Sequence, residues 1–225
     1  VSSRERSLAA LEREVINCRR CPRLVAWREE VARVKRAAFA TEEYWGRPLP
    51  GFGDPNASIL VLGLAPAAHG GNRTGRIFTG DRSGDWLFAA LWRAGLANQP
   101  HSISCDDGLT LRDCYVTASV RCAPPANRPL PSERDNCLPY AERELALLEA
   151  VRVIVCLGGF AWDAALRILA GPPRPRPKFG HGAEVQADNL TLLGCYHPSQ
   201  QNTFTGKLTE AMMDQVFARA RDLCS

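Results

Sequence analysis

Apolar positions fall at helical spacing near the start of the chain, where Leu8, Leu11 and Val15 share one face of Ser7–Asn17. A second helical stretch follows Cys21 and runs through Val34. Four later segments are apolar without strict alternation: Ser58–Leu64, Cys114–Val120, Val151–Leu157 and Asn189–Tyr196. Such runs predict strands buried on both faces. Helical patterns separate and follow them: Ser83–Gly95, with Trp86, Leu87, Ala90 and Leu91 on its apolar side, a helix capped by Ser132 and running to about Ala150, Phe160–Ala170 and Thr209–Leu223. Tyr44–Asn56 holds three Pro and three Gly and reads as irregular, as do Ala65–Gly71, the proline-rich Arg121–Pro131 and the basic Gly171–Gly182.

Strands alternating with helices in this way predict an α/β fold: a three-layer α/β/α sandwich around a central four-stranded parallel sheet. No repeat or low-complexity linker divides the chain, so a single domain over residues 1–225 is expected. Ligands of such sheets bind beyond the carboxyl ends of the strands. That rule directs attention to Ala65–Gly80, Arg121–Pro131, Gly158–Phe160 and Tyr196–Gly206.

Composition narrows this picture only a little. Apolar residues make up 45% and charged residues 23%, an ordinary globular balance that argues against disorder. The apolar runs are too short to span a bilayer, and the charged start at Arg4 does not resemble a secretory signal, so the cytosol is the expected compartment. A net charge of +4 is compatible with nucleic acid without pointing to it. The nine cysteines say more, because an odd number in a chain without a secretion signal is a poor disulfide framework.

Cys18 and Cys21 form a CxxC pair, and Cys122 and Cys137 flank the proline-rich loop with fourteen residues between them. A CxxC pair places two thiolates within reach of one metal centre, and the fold would have to bring the others in. The spacing alone suits zinc and thiol redox chemistry as well as iron. It also leaves open that Cys122 and Cys137 are buried small hydrophobes, like Cys105, Cys114, Cys156, Cys195 and Cys224.

Three loops carry distinctive motifs. After the first strand come Gly63-Leu64-Ala65-Pro66-Ala67-Ala68-His69-Gly70 and Thr74-Gly75-Arg76-Ile77-Phe78-Thr79-Gly80-Asp81. After the second comes Arg121-Cys122-Ala123-Pro124-Pro125-Ala126-Asn127-Arg128-Pro129, and after the fourth Tyr196-His197-Pro198-Ser199-Gln200-Gln201-Asn202-Thr203. With the four cysteines, these resemble the uracil-DNA glycosylase superfamily, most closely its family 5 (type b) iron–sulfur enzymes, over nearly the whole chain. The resemblance implies a monofunctional, monomeric DNA glycosylase. It would flip uracil, and also hypoxanthine or other deaminated bases, out of DNA and hydrolyse the N-glycosidic bond, initiating base-excision repair. It also implies a 4Fe-4S cluster on Cys18, Cys21, Cys122 and Cys137.

The resemblance assigns roles that the residues alone leave open. His197 would donate to a carbonyl oxygen of the leaving base, where neutral imidazole suffices; a buried structural histidine is the plainer reading. Asp81 would hold water and support the sugar cation, although Asp81, Ser83 and Asp85 all stand near a helix start, where such residues serve as caps. Asn127 would contact base or water, and a turn asparagine is its ordinary alternative. Phe78 would stack on the flipped base, with Ala65, Ala67 and His69 lining the base site. Ser199 and Asn202 would face DNA, and Arg174–Lys178 is either a phosphate contact or a solvated loop.

Departures from the wider superfamily also matter. Positions that often hold a polar Asp, Asn or Glu after the first strand are here Ala65, Ala67 and Ala68. Where the related family 4 carries a uracil-reading Asn, this chain has Ala118, which predicts looser base discrimination. Two other readings stay in view: a zinc-stabilised nucleic-acid-binding module without catalysis, and a nucleoside-processing enzyme. The second is disfavoured by the absence of a P-loop motif.

Overall fold

The computed structural model describes residues 3–169 and 173–225. The chain opens with two helices, α1 (Ser3–Ile16) and α2 (Pro22–Val34). Leu8, Leu11 and Val15 are the buried face of α1, as their spacing predicts. The first sheet strand is the short β1 (Phe52–Gly53), followed by β2 (Ile59–Gly63), the one-turn α3 (Gly71–Thr74) and α4 (Arg82–Arg93). Then come β3 (Cys114–Ala118), α5 (Pro131–Leu147), β4 (Val153–Leu157) and α6 (Gly159–Ile168). The chain closes with β5 (Glu184–Ala187), β6 (Leu190–Cys195), α7 (Gln200–Phe204) and α8 (Glu210–Asp222).

The strand order is β1-β3-β2-β4-β6-β5. β3, β2, β4 and β6 are parallel, the predicted four-stranded core, while β1 and β5 add an antiparallel strand at each edge. Successive side chains on a strand point to opposite faces. Val61, Val116 and Val155 therefore pack with Leu87, Phe88 and Leu91 of α4 and with Val216 and Phe217 of α8. Leu60, Leu62 and Ile154 pack on the other side with Ala161, Trp162 and Ala165 of α6, together with Leu8 and Leu138. These are the two helical layers of a three-layer sandwich.

The pairing register aligns the ends of the core strands. Gly63 sits opposite Ala118, Leu62 opposite Cys156, and Leu157 opposite Cys195. The loops after β2, β3, β4 and β6 consequently leave the sheet along one edge.

Several expected boundaries shift. α5 begins at Pro131 with Leu130 as its cap, not at Ser132. Proline's fixed φ and missing N–H suit the first helical position, and the Glu133 carboxylate accepts from Leu130 N at 2.7 Å. The edge strands β1 and β5 fall where the sequence reads as loop or goes unassigned. β1 is only a two-residue pairing inside the Pro- and Gly-rich stretch, and β5 alternates between the exposed Glu184 and Gln186 and the inward Val185 and Ala187, so neither carries an apolar run. The expected end of the fifth main helix at Ala170, and the start of the basic loop at Gly171, lie outside the described residues; Lys178 and its neighbours from Pro173 on are irregular, as expected.

Candidate active site and cysteine centre

The loop after β2 is tied to itself and to its neighbours. The Ala67 carbonyl accepts from Gly70 N at 3.3 Å and Asn72 N at 3.1 Å, and Ala65 and Ala67 are partly buried. His69 stands at 3.0 Å from the Tyr44 hydroxyl through its Nδ1. Burial, followed by the charges of Arg36 and Arg73, lowers its pKa below the ordinary value. Arg73 fastens this loop to the next one: its guanidinium donates to His69 O at 2.8 Å and Gly80 O at 3.1 Å, pairs with Glu42, and lies 4.0 Å over the Phe39 ring.

The segment Ile77–Asp81 is shaped by glycines that it touches. Phe78 holds a left-handed φ of 55°, an unusual conformation for a bulky residue. A Cβ at Gly84 would lie 1.8 Å from the Phe78 carbonyl oxygen, so α4 can approach only because that position is glycine. The Phe78 ring lies over the end of β2, where a Cβ at Gly63 would come within 2.7 Å of it. Asp81 is the N-cap of α4 and accepts from Gly84 N at 3.0 Å. Its other oxygen faces Gly70, where a Cβ would stand 2.1 Å away. Burial raises the Asp81 pKa, against the lowering pull of the Gly84 and Ser83 amides.

His197 follows β6 and meets this group. Its imidazole lies 6.0 Å from the Phe78 ring, the planes inclined by 36°. The His197 carbonyl accepts from Ser199 N at 2.8 Å and Asn202 Nδ2 at 2.9 Å. Ser199 Oγ in turn caps α7 by accepting from Asn202 N at 3.4 Å. Ser199 and Asn202 thus fix the turn that aims the histidine. Burial lowers the His197 pKa to about 4, so the ring is neutral at pH 7. Among the described residues, no protein group hydrogen-bonds that ring.

The structure brings Ala65, Ala67, His69, Phe78, Asp81 and His197 to one edge through the loops after β2 and β6. Asn127 lies on the loop after β3. It is exposed, in a left-handed turn with φ 54°, its N–H bonded to Pro124 O at 3.2 Å. Among the described residues, no hydrogen bond or ring contact joins its side chain to Phe78, Asp81 or His197. Ala118 is buried at the end of β3, opposite Gly63. Sequence reasoning missed Arg73, Tyr44 and the glycines at 63, 70 and 84. Those glycines lay in plain view within or beside the motifs, and their number there was the available signal.

Cys18, Cys21, Cys122 and Cys137 line one small cavity with Arg28 and Arg121. Cys122 and Cys137 are buried, and as free thiols their pKa values are pushed by burial to about 12 and about 11. Arg28 Nη1 donates to Cys122 Sγ at 2.9 Å, and Asn136 Nδ2 to Cys21 Sγ at 3.4 Å. The Nε atoms of Arg28 and Arg121 are buried without a partner. Four thiols with spare N–H donors around one small cavity fit an anionic, sulfur-rich group. Among the described residues, no group of three or more His, Cys, Asp or Glu side chains is gathered to hold a metal ion.

Fold and site together define an α/β enzyme-like domain whose sheet edge presents a neutral histidine beside an aromatic ring, with a partly buried carboxylate at the start of α4. A family model of the uracil DNA glycosylase superfamily matches residues 50–221. The type-5 uracil-DNA glycosylase of Mycobacterium tuberculosis is 56% identical over 219 residues, covering 96% of this chain and 82% of the relative. Its counterpart in Mycobacterium leprae is 55% identical, covering 96% of each. That of Thermus thermophilus is 53% identical over 207 residues, covering 92% of this chain and 93% of its own. The chain belongs to the uracil-DNA glycosylase superfamily and, within it, to the type-5 family.

Proposed function

We propose that this protein removes uracil from DNA by hydrolysing the N-glycosidic bond, the first step of base-excision repair. The observation that carries the reading is the neutral His197 beside Phe78 at the open edge of the sheet. A flipped base stacked on Phe78 lies within reach of the His197 N–H. As the bond to the sugar breaks, negative charge grows on the departing base, and that donor stabilises it. Asp81, ionised, supports the positive charge on the sugar and holds the attacking water. Water supplies hydroxide to the sugar carbon and its remaining proton balances the base anion. Asn127, on the loop after β3, contacts base or water. The small side chains of Ala65 and Ala67 let the backbone approach the base beside His69, and the turn held by Ser199 and Asn202 faces the DNA strand.

The absence of an amide at Ala118 extends the substrate range to hypoxanthine and other deaminated bases, because discrimination rests largely on hydrogen bonds to polar edges. Cys18, Cys21, Cys122 and Cys137 hold a 4Fe-4S cluster. Bound there, it supplies structural cross-linking, joining the N-terminal helices to the loop that carries Asn127. The chain acts as a monomer, as the resemblance implies.

Single-turnover cleavage of duplexes bearing U·G, hypoxanthine·T or undamaged pairs tests this, using protein of known iron content and light-scattering mass. Alkali-labile sites at uracil and, more slowly, at hypoxanthine are expected from brown, monomeric protein. Colourless, zinc-loaded protein that binds these duplexes without cutting them would favour a binding module instead.

A further inference from the structure

We propose that Arg28 is the counter-cation of the four-cysteine site, and that its charge sets the reduction potential of the cluster. The inference rests on the cluster assignment above and extends it to a residue outside the ligand set. Arg28 is 2% exposed, on the buried face of α2. Its Nη1 lies 2.9 Å from Cys122 Sγ and its Nη2 3.2 Å from the Cys18 carbonyl oxygen, so it touches two of the four ligand positions. Its Nε has no partner.

A guanidinium does not shed its proton, and burying one without an anion is strongly unfavourable. Arg28 lacks the usual remedy. Its nearest carboxylate, Glu29, is 3.8 Å away, is 45% exposed, and is already held by Arg19 through two hydrogen bonds of 2.5 and 3.2 Å. Arg121, equally buried beside the same cavity, shows the contrast: Glu144 pairs with it at 2.5 Å. One cation of the pair is neutralised by a carboxylate; the other faces sulfur. Four thiolates leave a 4Fe-4S cluster with net negative charge, and Arg28 is placed to offset it. A positive charge in a low-dielectric site favours whichever state is more negative, here the one-electron-reduced cluster. The same residue also reaches the base loop, since its carbonyl accepts from Asn72 Nδ2 at 3.2 Å and Asn72 N donates to Ala67 O at 3.1 Å.

The test compares the full chain with Arg28→Gln, Arg28→Lys and, as a control, Arg33→Gln on the exposed side of the same helix. Each is purified without oxygen, assayed for iron and sulfide, and titrated with a mediated chemical reductant while visible absorbance is followed. Arg28→Gln should disfavour reduction at least tenfold, a fall of about 59 mV for a one-electron couple. Arg28→Lys should recover most of that shift and Arg33→Gln should not move it. If Arg28→Gln holds iron at an unchanged potential, the proposal is wrong. If Arg28→Gln loses iron, the lysine variant decides: iron retained supports a role for the charge, and iron lost from both overturns it. Parent protein devoid of iron overturns the cluster reading and this inference with it.

Discussion

Phe78 and His197 face each other at 6.0 Å between ring centroids, and each rests against a position that lacks a side chain. Gly63, the last residue of β2, leaves room for the Phe78 ring, and Gly158, with φ of 93° after β4, stands where a Cβ would come 3.3 Å from the Cβ of His197. The pair is therefore set by the ends of two neighbouring parallel strands, β2 and β4, as well as by its own loops. A rigid sheet edge holds the aromatic surface and the donor in fixed relation before substrate arrives, which is the preorganisation that charge-stabilising catalysis requires.

Gly63→Ala tests that arrangement directly. The new methyl would lie 2.7 Å from two ring carbons of a Phe78 that is only 7% exposed. The ring must move, and overpacking of this kind costs about 1–3 kcal/mol. Single-turnover uracil excision should fall by about tenfold or more, by analogy with misplacement of a positioning group. Denaturant unfolding measured alongside should show the variant folded; an undiminished rate would detach Phe78 from the reaction.

Asp81 has two candidate duties, capping α4 and carrying charge at the site, and asparagine separates them. Asn is as good an N-cap as Asp, so Asp81→Asn should retain stability within about 1 kcal/mol. Asp81→Ala loses the bond to Gly84 N and should cost about 1 kcal/mol. If the carboxylate acts in excision, both variants slow the reaction strongly, and Asp85→Asn does so far less. Equal rates for Asp81→Asn and the parent would leave Asp81 as a cap alone.

The pH dependence follows from the two shifts. His197, lowered to about 4, is already neutral through the neutral range and should contribute no inflection near the ordinary histidine pKa. Asp81, raised by burial, must be ionised, so excision should decline as pH falls through a value above that of a free aspartate. In the single-turnover profile, Asp81→Asn should lose that acid limb while the parent keeps it. Stability carries the opposite bookkeeping for the histidine. Because its folded pKa lies below the unfolded value of about 6.5, the unfolded chain takes up protons first as pH falls. The stabilising contribution is present above the unfolded pKa and disappears as pH drops towards 4. His197→Gln should therefore flatten part of the loss of stability over that interval in denaturant titrations.

Local forces leave a mark on the sequence that long-range contacts do not. Leu8, Leu11 and Val15 announce a helix because their burial is a property of one local face, and the four unbroken apolar runs announce core strands for the same reason. β5 is not legible, since only Val185 and Ala187 turn inward, too short an apolar pattern to mark a strand, and its pairing to β6 is a backbone matter. Ser132 has the residue type of a cap, but the helix starts at Pro131 and its cap falls two residues earlier, at Leu130. At the site, the motifs displayed Phe78, Asp81 and His197, whereas Arg28 and Arg73 look like any other arginine until folding closes the distance to Cys122 and Gly80.

Glu144 offers the clearest test of such a hidden contact. Buried at 2% exposure on α5, it pairs with Arg121 at 2.5 and 3.0 Å, accepts from Thr117 Oγ1 at 2.8 Å and from Gly51 N at 3.2 Å. It thereby joins α5 to β3 and to the segment leading into β1, immediately beside Cys122. Glu144→Ala leaves a buried guanidinium without its anion, and breaking one side of such a pair costs about 3–5 kcal/mol. Replacing both partners, as in Arg121→Met with Glu144→Leu, should cost much less, because no buried charge is left exposed to an apolar surround. Equilibrium unfolding in urea checks the ordering. Were the double variant as unstable as the single one, the value of Glu144 would lie in its bonds to Thr117 and Gly51 rather than in its charge.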